Sequence, residues 1–191
     1  SAGRTLRFDR RADGRLARVC VQRPTERGAW WMELVRYEYD DTGALAAAFD
    51  AGGDPYRYAY RGGVLVRETD RNGMSFYFEY DREHPEGWCT RTWGDGGAFD
   101  RRITYDKHRH VTLVDDSRGG RTHYFGNAAG LVTQKIDPTG GAWKYEWDAR
   151  YRKVAEEDPL GLRAEWGYDA RGHKVFERDP AGGETRWAYD D

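Results

Sequence analysis

The stretch "WKYEWDARYRKVAEEDPLG", Trp143 to Gly161, returns a few residues later as "WGYDARGHKVFERDPAG", Trp166 to Gly182. In each copy aromatic residues alternate with polar or small ones, and an Asp follows the last aromatic. A short polar turn then leads into a second strand-like run that ends in Asp-Pro-x-Gly. Successive side chains of a strand point to opposite faces, so Trp143, Tyr145 and Trp147 share one face, and Lys144 and Glu146 the other. Asp closes a turn through local hydrogen bonds and Gly accepts the positive φ that other residues resist. Each copy therefore reads as strand, turn, strand, turn.

Moving outward, the residue after the last aromatic falls at Asp40, Arg61, Asp81, Asp106, Asn127, Asp148, Asp169 and Asp190, at spacings of 21, 20, 25, 21, 21, 21 and 21 residues. A period of this length marks a repeat array rather than a mixed fold. The aromatic face it predicts comprises Tyr37, Tyr39, Tyr58, Tyr60, Phe78, Tyr80, Tyr105, Trp143, Tyr145, Trp147, Trp166, Tyr168, Trp187 and Tyr189. On the opposite edge Asp137, Asp158 and Asp179 begin "DPTGG", "DPLG" and "DPAGG". Pro fixes φ at the second place there, which predicts a turn type different from that of the first edge.

The architecture expected is all-β: tandem hairpins forming a continuous curved antiparallel sheet. Residues 1–36 read as a degenerate first hairpin, turning at Asp13-Gly14 and again across "RPTERG". Residues 37–191 read as the array, with about 21 residues per repeat, and "REHPEGW" is a wider turn that lengthens one of them. The last hairpin stops at "RWAYDD" without a return strand, so the sequence is expected to be a piece of a larger β-structure.

Composition fits this reading. Aromatics are 15% of residues and Gly numbers 24, a vocabulary of pleated, half-buried strands and tight turns. Lys+Arg 31 against Asp+Glu 33 leaves no basic field to recruit nucleic acid, which is excluded as a partner. No apolar run is long enough for a membrane span, and "SAGRTLRFDRR" is no signal peptide. Cys20 and Cys89 match no metal or disulfide framework and read as unpaired thiols.

Catalytic readings fare poorly. The Asp residues recur at equivalent turns, whereas acid–base chemistry needs a singular pair in different environments. His108 and His110 would face one side of a strand and suit zinc in geometry, but two exposed residues beside a turn are ordinary. No cofactor and no metal are expected.

"YEYDDTGAL" (Tyr37 to Leu45), "WGYDARGHKV" (Trp166 to Val175) and the serial "DPTG", "DPLG" and "DPAG" resemble the tyrosine-aspartate repeats of the Rhs/YD-repeat family. That family includes bacterial polymorphic toxins, toxin-complex C components and teneurins. The resemblance implies a hairpin ribbon wound into a hollow shell, which in bacterial members encloses a C-terminal toxin domain until delivery. It implies as partners the remainder of the shell and a toxin cargo, and secretion or extracellular delivery by a bacterial secretion system. About sixteen strands roughly 4.8 Å apart make a strip rolling into a tube only about 25 Å wide. A 100-residue cargo has a radius of gyration of about 13 Å and would not fit, so this chain would be part of a wall. "EDPLGL", Glu157 to Leu162, is similar to the motif that closes such shells by aspartyl self-cleavage. Two further aromatic strands follow it in register, so cleavage is not expected there. The alternative is a carbohydrate- or cell-wall-binding module whose aromatic rows stack on glycans.

Overall fold

The structure, a computed structural model, describes residues 5–25 and 28–190. Among the described residues it is all-β and antiparallel, with seventeen strands and a single short 3-10 turn at Asp95–Gly97. The strands fall into two compact units that divide after Asp100.

In the first unit run β1 (Leu6–Arg10), β2 (Leu16–Thr25), β3 (Gly28–Tyr39), β4 (Leu45–Asp50), β5 (Pro55–Arg61), β6 (Val64–Thr69), β7 (Ser75–Tyr80) and β8 (Cys89–Gly94). Each pairs with the next. The second holds β9 (Arg101–Asp106), β10 (Val111–Asp116), β11 (Arg121–Gly126), β12 (Val132–Ile136), β13 (Ala142–Trp147), β14 (Lys153–Glu157), β15 (Arg163–Tyr168), β16 (Lys174–Arg178) and β17 (Glu184–Arg186), again paired in chain order. Only hairpin neighbours pair, the ordering that short turns dictate.

The first hairpin turns at Arg11–Arg15, where Arg11 N–H donates to Arg15 O at 2.8 Å and Gly14 N–H to Arg11 O at 3.0 Å. Part of the second turn expected at "RPTERG", residues 26 and 27, lies outside the described residues; on either side β2 runs through Pro24, opposite Ala29, and β3 begins at Gly28. Pro24 is tolerated in a strand because its ring merely withholds one donor. β3 passes through residues 36 and 37 without a break.

A recurring irregularity sits beside the marker turns. Glu38 faces Ala47 but Tyr39 faces Leu45, skipping Ala46. The same slip skips Val66 opposite Tyr60, Thr90 opposite Tyr80, Val154 opposite Trp147 and Val175 opposite Tyr168. These are β-bulges, each adding local twist at one place in the repeat. The hairpin of β9 and β10 has a regular register instead.

No thick core forms. Among the described residues the buried apolar side chains are Cys20, Val21, Ala47, Val64 and Ala155, all small, and the large aromatics are mostly half-buried. Each unit is a sheet whose stability comes from turns, cross-strand pairs and ring packing more than from a sealed interior.

Candidate functional site

The turns on both edges have one geometry, which corrects the expectation of two types. At Asp137-Pro-Thr-Gly-Gly, Asp137 N–H donates to Gly141 O at 2.9 Å and Gly140 N–H to Asp137 O at 3.0 Å. The Asp137 carboxylate accepts from the Thr139 and Gly141 N–H groups at 2.9 and 2.8 Å. At Asp148-Ala-Arg-Tyr-Arg the backbone bonds recur at 3.0 Å each, and the carboxylate accepts from Arg150 and Arg152 N–H at 2.8 and 3.0 Å. Pro138 occupies a second place whose φ is already near the value its ring imposes, so it stiffens the turn without changing it. Asp40, Asp158 and Asp179 cap in the same way, and Asn127 does so through its amide oxygen. Asp169 accepts from His173 N–H at 2.9 Å.

Asp50, Asp70 and Asp116, at "DAGG", "DRNG" and "DSRGG", make the same paired bonds. Other markers differ. Arg61 opens a two-residue turn in which Gly62 and Gly63 both have positive φ, 57° and 82°. Asp81 closes a wide loop, its carboxylate accepting from Trp88 N–H at 2.8 Å, and Asp106 accepts from Arg109 N–H at 3.1 Å. Asp190 lies exposed beyond β17.

The fourth place of the turn needs a left-handed backbone, and Tyr151 holds it at φ 63° where Gly43, Gly140 and Gly161 stand elsewhere. A side chain there costs about 1 kcal/mol. Tyr151 is 64% exposed, so little packing offsets the cost. Tyr151→Gly is expected to raise stability by about 1 kcal/mol in urea denaturation; an unchanged or lower midpoint would contradict this account of the turn.

At five of the markers the preceding aromatic has its own task. Tyr168 Oη donates to the backbone oxygen of Lys153 at 3.0 Å, Tyr80 to Leu65 at 2.9 Å, Tyr189 to Lys174 at 2.9 Å and Tyr39 to Leu16 at 2.8 Å. Trp147 does the same with its indole N–H, reaching Val132 O at 2.8 Å. Each bond ties a hairpin to the return strand of an earlier one. The tyrosine-aspartate pair thus divides its work: Asp closes its own turn and Tyr fastens to the neighbour. Tyr168→Phe keeps the ring and removes the donor, and is expected to cost about 1 kcal/mol by chemical denaturation; no measurable loss would show that the bond is idle.

The two faces are ruled differently. On the aromatic face Tyr105, Tyr124 and Trp143 line up across β9, β11 and β13 through Thr112 and Lys135. Tyr145 stands opposite Glu156, which faces Ala164 on β15, and Trp166, two residues on, stands opposite Glu177 on β16. Ammonium groups cover several rings: Lys135 Nζ lies 3.6 Å from the Trp143 centroid, Lys153 4.7 Å from Trp166 and Lys174 4.6 Å from Trp187. Tyr37, Tyr58, Phe78 and Tyr60 are half-buried on the strands of the first unit. Burial pushes the phenols of Tyr58, Tyr60, Tyr80 and Tyr145 up.

The other face carries an ion-pair ladder. Arg163 pairs with Glu146 at 2.7 Å and Glu165 at 3.0 Å, and Arg178 with Glu165 at 2.8 Å and Glu184 at 2.7 Å. The two bonds that Arg163 donates to Glu146, joined by that to Glu165, raise the pKa of Arg163. Arg163 reaches across β14 because Ala155, facing both Glu146 and Glu165, is only a methyl. Ala155 is 1% exposed beneath the ladder. Ala155→Leu is expected to cost about 2 kcal/mol by overpacking; a thermal midpoint within a degree of the parent would sink that reading.

Nothing in these arrays gathers acids into a catalytic pair. Glu157 is paired with Lys144 at 2.8 Å and the Asp158 carboxylate is occupied by its own turn. His108 and His110 lie in the turn between β9 and β10 rather than on a strand, and His110 has φ 53°. Among the described residues no cluster of His, Cys, Asp or Glu is placed to hold a metal ion. Cys20 and Cys89 form no disulfide, and among the described residues no helix is long and apolar enough to cross a membrane.

Residues 126–163, from the end of β11 to the start of β15, match the family model described as RHS Repeat. Toxin protein Tse5 of Pseudomonas aeruginosa is 32% identical over 102 residues, covering 53% of this chain and 7% of that protein. Among solved structures, one of TcdB2-TccC3 without its hypervariable C-terminal region is similar over 93% of this chain and 13% of its own, at 12% identity and a TM-score of 0.36. A porin-like protein from Bacteroides uniformis is similar over 91% of this chain and 88% of its own, at 13% identity and a TM-score of 0.46.

Proposed function

We propose that this chain, which belongs to the Rhs/YD-repeat family, is a structural segment of a β-shell that encapsulates or scaffolds a C-terminal toxin domain lying outside it. The observation that carries the reading is the match to the RHS repeat over hairpins whose turn and stitch geometry recurs along the chain. Similarity to a toxin protein supports the toxin context. The chain spans only 7% of that relative, so cargo and delivery are inferred for the whole protein of which these residues would form a wall.

In this role the segment has no catalytic task. Its partners are the rest of the shell and the cargo, and the whole is secreted or delivered by a bacterial secretion system. Residues 37–191 serve as the repeat array, with 1–36 as its irregular first hairpin. The serial turn carboxylates and the aromatic row act as architecture: the first fix strand ends, the second stiffens one face. The glycan-binding alternative has no observation in its favour, because Lys135, Lys153 and Lys174 already cover rings on which a sugar would stack.

The test uses the full-length protein with its downstream domain. Trypsin added at neutral pH is expected to leave that domain intact within the full-length protein and to degrade it when the domain is expressed alone. Digestion at the same rate with the shell closed as with the domain expressed alone would overturn the encapsulating reading.

A further inference from the structure

In the first unit two strands outrun their neighbours. β2 and β3 stay paired as far as Thr25 opposite Gly28, whereas β4 joins β3 only at Val35, which faces Asp50. Leu34 marks the limit. It is the extra residue of a bulge, since Cys20 faces Glu33 and Val19 faces Val35. From Ala29 to Glu33, β3 has β2 on one side and, among the described residues, no strand on the other. A strand paired along one side only turns alternate N–H and C=O groups outward, where they template a further strand.

The sequence of this edge does nothing to blunt it. Exposed edges are ordinarily protected by Lys or Pro. Ala29-Trp30-Trp31-Met32-Glu33 has neither, and its aromatics favour a strand. Its one charge, Glu33, is answered within its own sheet by Arg36 at 3.6 Å and Arg18 at 4.0 Å. The side chains are sorted into two faces. Met32 lies in an apolar row with Val21 and Leu6, and Trp30, 51% exposed, follows on the same face. Trp31 is on the other face, with Arg7 over its ring at 4.6 Å.

The edge is complementary to itself. Laid antiparallel against a copy about a two-fold axis at Trp31, it sets Trp31 against Trp31, Trp30 against Met32 twice and Ala29 against Glu33 twice. No like charges face each other, and indole meets thioether on one face. Opposed residues must share a face, so the register can move only in steps that keep the two faces in place. Among those registers this one pairs the whole of Ala29 to Glu33 without reaching Val35, whose outer side β4 already holds.

We propose that this edge is a homodimerisation surface: a second copy of the chain adds its own β3 across the two-fold axis, extending the sheet through backbone hydrogen bonds.

Sedimentation velocity on the whole chain between about 1 and 100 μM is expected to show monomer giving way to dimer and to nothing larger, because a two-fold contact closes on itself. Trp31→Lys sets two ammonium groups against each other at the axis and is expected to weaken the dimer at least about tenfold, whereas Trp31→Phe keeps it. Cross-linking reads the register by an independent route. With Cys20→Ala and Cys89→Ala in place, Trp31→Cys is expected to give a disulfide-linked dimer on oxidation, and Trp30→Cys to cross-link with Met32→Cys in a mixture, because opposed Cα atoms lie about 4.5–5.5 Å apart. Monomer at every concentration, growth beyond the dimer, undiminished association of Trp31→Lys or no cross-link in Trp31→Cys would each overturn the surface.

Discussion

Acidification from about pH 5 to about pH 3 is expected to unfold the chain, while the span from pH 7 to pH 5 leaves it nearly unchanged. Turn carboxylates are the cause. The Thr139 hydroxyl holds Asp137 below its ordinary 3.8, and the Thr42 hydroxyl does so for Asp40. The Asp54 N–H lowers Asp50, the Gly120 N–H lowers Asp116, and the Arg152 guanidinium lowers Asp148. At Asp169 desolvation pushes upward, but the bonds from His173 outweigh it and the net direction is down. Ion-pair carboxylates move the same way: Glu146 through Arg163, Glu177 through Lys174 and Glu184 through Arg178.

A carboxyl whose folded pKa lies below its unfolded value contributes stability fully above the unfolded value and loses it as pH falls through the folded one. Here the unfolded values are 3.8 for Asp and 4.5 for Glu. Each group is exposed and contributes little alone. The losses of the groups named above all lie below their unfolded values and act together. Urea midpoints at three pH values, read by tryptophan fluorescence, decide the matter; a midpoint at pH 3 equal to that at pH 7 would exclude the turns as the acid-labile element.

Gly62→Val is expected to be the most damaging single substitution, at about 3 kcal/mol or more. Two costs coincide. The backbone at φ 57° is unfavourable to a branched side chain, and the new Cβ would meet Glu83 O at 2.1 Å, backbone that cannot swing aside. Gly63 adds a limit, its Cβ position lying 3.0 Å from Pro85 Cγ. Gly140→Ala separates the two causes: its φ is 89° but nothing lies within 4 Å of the added Cβ, so it should cost only about 1–2 kcal/mol. Equal losses in the two variants would mean that the close approach of the wide loop is of no energetic consequence.

Much of this architecture is written locally. Period-2 alternation through Trp143, Tyr145 and Trp147 and the Asp-x-x-Gly signals set the strands and turns, because both are decided by residues adjacent in sequence. The equivalence of "DPTGG" and "DARGH" was hidden by Pro138, whose presence suggests a distinct turn but only stiffens the same one. The tyrosine bonds were not legible for another reason: Tyr168 and Lys153 are 15 residues apart, and only the paired strands show that the hydroxyl ends at that carbonyl. The approach of the wide loop after β7 to Gly62 depends on the shape of that loop, where the sequence announces an interruption of period but not its path.

The tyrosine bonds also have a sense of direction. In the five made by the aromatic just before a marker, the acceptor precedes the donor along the chain: Leu16 before Tyr39, Leu65 before Tyr80, Val132 before Trp147, Lys153 before Tyr168 and Lys174 before Tyr189. A chain leaving the ribosome presents its N-terminal part first. Each emerging hairpin would then find its anchor point already made and would wait for nothing still to be synthesised. Growth at one end, like courses laid on a wall, is built into which residue of each pair holds the proton.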